Sequence, residues 1–152
     1  MGLRYNFAVG KKAETMAFDM MRELGFDVVK FGVEHILPEY CKKGKSLQGQ
    51  AGKFVRGQPD FLIVDPETRE AFFIEVKYRS GNRIRKDSLI DYPNNFILLF
   101  SLKGILIADW AELKGQEDNM NCFKLLTQIK PFRNKDKSIL IKYVEKVKQE
   151  FY

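Results

Sequence analysis

Two apolar runs split by a single polar turn constrain this chain more than anything else in it. Phe61 to Val64 and Ala71 to Tyr78 read as strands, and Asp65-Pro66-Glu67-Thr68-Arg69-Glu70 between them places a proline for a tight turn. The pattern predicts a β-hairpin. Its open end is the unusual part. Asp60 begins the first strand directly after Pro59, and Glu75 and Lys77 interrupt the end of a second strand that is otherwise apolar. Residues two apart on a strand share a face, so Glu75 and Lys77 point the same way. If Asp60 pairs opposite Glu75, the turn centres near Glu67 and Thr68. A slip of one residue would put Asp60 on the Val76 face, and a bulge could restore it. The sequence leaves that register open.

Charged groups at the end of a buried strand are costly unless they are paired or bind metal. Two carboxylates held together repel each other and invite a divalent cation. Oxygen donors suit Mg²⁺ or Mn²⁺ better than zinc. Lys77 can then neutralise charge developing on a phosphate, or help position and deprotonate a water. The plainer alternatives are a Glu75–Lys77 salt bridge on an exposed strand end and a turn role for Asp60. Asp65 reads as the first residue of the turn.

Around the hairpin, Val9 to Leu24 is an amphipathic pattern, with Ala13, Met16, Ala17, Met20, Met21 and Leu24 forming one stripe. Gly25 follows as a C′ glycine should. Phe26 to Val33 reads as a strand. Glu34 to Gln58, rich in Gly and Lys, reads as a long loop with one helical turn near Leu37 to Cys41. A short helix is expected over Arg85 to Asp91, ended by Pro93. Phe96 to Ser101 and Ile105 to Asp109 are nearly continuous apolar runs, as for strands covered on both faces. Lys137 to Phe151 reads as a closing helix, with Ile141, Val144 and Val147 or Lys148 at helical spacing. Helices on both sides of a central sheet imply an α/β sandwich.

The chain has 152 residues, a length that fits one domain over 1–152. No run approaches the roughly 20 apolar residues of a membrane span, so no membrane is expected. Met1 to Lys12 lacks the apolar core of a signal peptide. Cys41 and Cys122 fit neither a zinc site nor a disulfide framework and read as structural thiols of a cytoplasmic protein. With one histidine, His35, a Ser-His-Asp triad and histidine-rich metal clusters are disfavoured. His35 and Trp110 read as structural. A net charge of +6 favours a polyanionic partner such as nucleic acid. Tyr78, Arg79, Arg83, Arg85 and Lys86 can grip phosphates beside the acids, or form a solvated basic loop. Lys42, Lys43, Lys45, Lys53 and Arg56 can wrap DNA in the same two-sided sense.

Pro59-Asp60 followed by Glu75-Val76-Lys77, on strands joined by a short turn, resembles the PD-(D/E)XK nuclease superfamily. Gly10-Lys11-Lys12-Ala13-Glu14 is similar to the acidic first-helix motif of that superfamily, and the order of elements resembles its αβββαβ core. The wording around the acids looks most like the small repair and recombination types, VRR-NUC-like nucleases and archaeal Holliday junction resolvases among them. Many relatives carry a glutamine on the helix after the lysine strand, and Arg85 to Asp91 contains none. The resemblance implies a restriction-endonuclease-like fold with a mixed central sheet. It also implies Mg²⁺ or Mn²⁺ held by Asp60 and Glu75, the Val76 carbonyl as a further ligand, and Glu14 as a direct or water-mediated one.

The expected function is therefore a metal-dependent DNA endonuclease that reads DNA structure. The alternatives are a non-catalytic nucleic-acid-binding module on the same fold and a structural subunit of a larger assembly. A homodimer is expected, because symmetric cutting of two strands needs two sites.

Overall fold

The hairpin forms where the sequence puts it. In the computed structural model, which describes residues 2–32, 35, 37–44, 46–78, 84, 91–116 and 120–152 without the side chains of 2–7, 42 and 120, strand β2 spans Phe61–Val64 and β3 spans Ala71–Tyr78. Phe61 pairs with Ile74 and Val64 with Ala71, a register centred between Glu67 and Thr68. One further step sets Asp60 opposite Glu75, so the register left open by the sequence is the one that joins the two acids. Asp65 organises the turn: its Oδ1 accepts from the Glu67 N–H at 2.9 Å and its carboxylate pairs with Lys135 at 3.2 Å.

The hairpin sits inside a six-stranded mixed sheet. Strands β1 (Asp27–Lys30), β4 (Asn95–Ser101), β5 (Gly104–Asp109) and the short β6 (Lys124–Leu125) complete it, in the spatial order β1-β2-β3-β4-β5-β6. Only the β3–β4 pairing is parallel. A parallel pair needs a crossover connection between its two strands. The helix expected over Arg85 to Asp91 lies outside the described residues apart from Asp91, which is not helical.

Helices cover the sheet. Helix α1 (Gly2–Glu23) begins earlier than its apolar stripe suggested and ends at Gly25, whose φ of +92° and the Phe26 N–H to Met21 carbonyl bond (3.1 Å) make the expected glycine stop. Its buried Ala13, Ala17, Met20 and Met21 pack with Phe61, Ile63, Ile74, Leu98, Phe100 and Ile107 in the larger core. A smaller core on the opposite face gathers Ile84, Ile97, Leu99, Ala108 and Cys122 with Trp110 and Leu113 of the short helix α4 (Trp110–Leu113). The central strands are thus covered on both faces, as their continuous apolar runs required. Cys41, by contrast, is exposed.

Two readings of the sequence need correction. The segment read as a long loop holds two helices, α2 (Pro38–Lys42), where a helical turn was expected, and α3 (Gly49–Arg56), which was not. Glycine is a poor helix former, so the pattern looked like a loop. Gly52 is there for packing: a Cβ would stand 2.8 Å from the Leu47 carbonyl carbon. The expected strand Phe26 to Val33 is reduced to β1, with Phe26 buried in the larger core and Val33 outside the described residues.

Helix α5 (Lys137–Phe151) matches its expected bounds, but its buried stripe is Leu140, Tyr143 and Val147, while Ile141 is exposed. Its N-cap is Asp136, whose Oδ1 accepts from the Ser138 N–H at 2.8 Å. Asp136→Ala is expected to destabilise the protein by about 1 kcal/mol, lowering Tm by roughly 2–4 °C in a thermal melt. Among the described residues no helix is long and apolar enough to cross a membrane.

Candidate metal and active site

The site is built where β2 stops and β3 continues. Asp60 lies one residue before β2, and its carbonyl accepts from the Phe31 N–H at 2.9 Å, which carries the β1–β2 pairing one step further. Its side chain turns to β3: Oδ2 accepts from the Val76 N–H at 2.6 Å. A strand residue sends its N–H and its carbonyl to the same edge. The Val76 carbonyl therefore faces the gap that β2 leaves open, on the side of Asp60.

Glu75 and Lys77 share the sheet face of Ile97 and Leu99, the face of the smaller core, whereas Ile74 and Val76 face the larger one. Lys77 Nζ donates to Glu75 Oε1 at 2.5 Å. The two side chains are 22% and 13% exposed, so this is no pair on an exposed strand end. The salt bridge read as the plainer alternative does form, but in a half-buried setting where unpaired charge is expensive.

Burial, then the charges of Glu75 and Glu14, push the Asp60 carboxyl well above the usual aspartate range, against the pull of the Val76 N–H and Lys77. Burial also raises Glu75, against the charge and hydrogen bond of Lys77 and the Asp60 N–H. Two half-buried carboxyls thus stand together, with Lys77 bonded to Glu75 and the charge of Glu14 felt at Asp60.

This donor set fits a hard divalent cation. Asp60 and Glu75 can offer carboxylate oxygens, and the Val76 carbonyl can add a third from the same edge. Among the described residues, no group of three or more His, Cys, Asp or Glu side chains could hold a metal by itself. Mg²⁺ does not ask for one, since it is commonly held through one or two carboxylates and keeps several waters. Glu14 lines a small cavity of about 60 Å³ with Asp60, Lys11, Lys30 and His35, on the side of the acid pair nearest α1.

The other residues named from the sequence are distributed as follows. Lys53 and Arg56 are exposed on α3. Tyr78 faces away from Lys77, with its ring stacked on Phe151 at 5.0 Å between centroids. Arg79, Arg83, Arg85, Lys86 and Lys45 lie outside the described residues. Trp110 is buried and donates from Nε1 to Asp91 at 3.0 Å, in keeping with a structural role.

His35, read as structural, lines the cavity of Glu14 and Asp60. Sequence reasoning missed one feature. A row of aromatic rings also borders the acids: Phe31 to Phe73 at 6.0 Å, Phe73 to Tyr92 at 5.2 Å, and Tyr92 to Phe54 of α3 at 5.3 Å. The position of Phe73, two residues before Glu75 and so on its face, was the one available signal. The rest needed the β1–β2 register and the packing of α3. No protein family matches the chain, and no match was found among curated proteins or among solved structures.

Proposed function

We propose that this protein is a Mg²⁺- or Mn²⁺-dependent nuclease of the PD-(D/E)XK type. In this reading it is a structure-directed endonuclease of repair or recombination that hydrolyses DNA phosphodiester bonds. The observation that carries the reading is the meeting of Asp60, Glu75 and Lys77 at the end of one hairpin, half-buried and with both carboxyls pushed up chiefly by burial. Asp60, Glu75 and the Val76 carbonyl would hold the metal, with Glu14 acting directly or through water. When bound, that ion supplies a counter-charge to the scissile phosphate and lowers the pKa of a water. Lys77 would turn from Glu75 toward the phosphate or the attacking water, as a charge-stabiliser or as a proton acceptor. The basic groups Lys53 and Arg56 would hold the DNA backbone. Two copies would serve two strands.

A second reading has its own support. The Lys77–Glu75 pair gives both groups a partner without any metal, as a non-catalytic DNA-binding module would require. Cleavage separates the two. Plasmid DNA and a labelled four-way junction are incubated with Mg²⁺, Mn²⁺ or EDTA. The nuclease reading expects cleavage with either metal, none in EDTA and none by Asp60→Ala. Salt-sensitive binding without cleavage in either metal would favour the binding module.

A further inference from the structure

Helix α3 carries an exposed aromatic ring and two exposed cations, and a row of rings links that aromatic to the acid pair. Phe54 is 51% exposed, while its inner face rests on Tyr92 at 5.3 Å between centroids and a 35° tilt. Tyr92 packs on Phe73, which shares the face of Glu75, and Phe73 on Phe31, the residue whose N–H holds the Asp60 carbonyl. Phe54 is therefore the outer end of a continuous row of rings that starts beside the acids. Lys53 and Arg56, three apart on the same helix and so neighbours of each other, are both exposed. A single exposed aromatic is ordinary on a protein surface. A half-exposed ring backed by further rings, on a short helix that also carries two exposed cations, and at the outer end of a row that begins beside two half-buried carboxylates, is a different arrangement. It pairs a π-face for a base with charges for the backbone on either side of that base, the two elements by which proteins hold single strands.

Gly52 of this helix fits against the backbone of Leu47 so closely that any side chain there would collide with it.

We infer that Phe54 is a base-stacking residue and that the substrate presents an unpaired, single-stranded DNA segment to α3 beside the scissile phosphate. This rests on the nuclease reading for the role of the acids, and it narrows the substrate from DNA in general to DNA with unpaired bases near the cut.

The test measures binding in EDTA, where no cleavage is needed, by anisotropy of a labelled short oligothymidylate and of a blunt duplex of equal length. Phe54→Leu keeps an apolar contact with Tyr92 but removes the π-face, and Phe54→Trp keeps it; a melt of each variant confirms folding. Phe54→Leu is expected to weaken single-strand binding by about tenfold or more, with duplex binding unchanged and Phe54→Trp close to the parent. Replacing both Lys53 and Arg56 by Ala is expected to weaken single-strand and duplex binding alike and to reduce the single-strand salt slope by about 1.4. Equal losses on single strand and duplex in Phe54→Leu, or no loss on either, would overturn the stacking role. If junction cleavage still requires metal and Asp60 in that case, the nuclease reading stands without it. If Phe54 governs single-strand binding but no metal supports cleavage, stacking stands and the nuclease reading falls.

Discussion

Lys77→Ala is expected to lower the single-turnover rate of metal-dependent DNA cleavage by about 10²–10⁴-fold, the span typical of a lost acid–base or charge-stabilising group. The expectation follows from position. Lys77 Nζ lies 2.5 Å from Glu75 Oε1 on the face where a phosphate would meet the acids. Its charge pulls both the Asp60 and the Glu75 carboxyl down against their burial. Removing it leaves two half-buried carboxylates facing a polyanion with the metal alone. Lys77→Arg divides the two roles left open by the geometry. A guanidinium keeps the charge but stays protonated at any working pH. If Lys77 only stabilises charge, Arg restores part of the rate; if it accepts a proton from water, Arg restores none. DNA affinity measured in EDTA should change little in either variant. Wild-type cleavage by Lys77→Ala would remove this residue from the chemistry, and cleavage surviving in Asp60→Ala would remove the acid pair with it.

The parts of the fold that were legible are those where local sequence and tertiary demand agree. The hairpin is one, because its turn chemistry and apolar runs agree on where the two strands lie; the register that sets Asp60 against Glu75, which the sequence left open, comes from the strand pairing itself. Helix α5 is another in its bounds, but not in its buried face. Leu140 and Tyr143 are buried in place of Ile141 because the helix lies over β5 and against α1, and a 3.6-residue repeat does not say which side of a mixed stripe meets the core.

Helix α3 was hidden for a different reason. Gly49 and Gly52 argue against a helix locally, and the reason for Gly52 is the backbone of Leu47, a contact that exists only once the segment is folded. The chemistry followed the same division. Asp60, Glu75 and Lys77 could be named because a charged residue on an apolar strand calls for an explanation. Phe31, Tyr92 and Phe54 could not, since an aromatic ring in a sequence looks the same whether it fills a core or borders a site. The place of His35 beside Glu14 and Asp60 likewise depends on how α1, β1 and β2 converge.

The second large effect is on stability, and it tests the acids without any substrate. In the folded protein Asp60 and Glu75 hold their protons above the pH at which ordinary carboxylates release them, chiefly through burial. The folded state therefore binds more protons than the unfolded chain, from the ordinary carboxylate range up to the raised folded values. Their contribution to stability is full below that window and is lost as pH rises through it. Asp60→Asn keeps an oxygen for the Val76 N–H and removes the charge. At pH 7 and without metal, the variant is expected to be more stable than the parent by about 1–2 kcal/mol, roughly 3–6 °C in Tm.

The gain should shrink toward zero as pH is lowered below the ordinary carboxylate range. Asp91, held low by its hydrogen bond from Lys114, and Asp136, held low by Ser138, act in the opposite sense and lose stabilising force in acid. They are common to both proteins and cancel in the difference. Metal should reverse the ranking. Mn²⁺ or Mg²⁺ at a hundredfold excess over its Kd would stabilise the parent by about 2.7 kcal/mol and leave Asp60→Asn nearly unmoved. Melts of the two proteins across pH, with EDTA and with each metal, would show it. A variant less stable than the parent at pH 7 in EDTA would mean that Asp60 is charged and satisfied in the empty protein. A metal-induced rise in Tm equal in both would place the ion somewhere other than between Asp60 and Glu75.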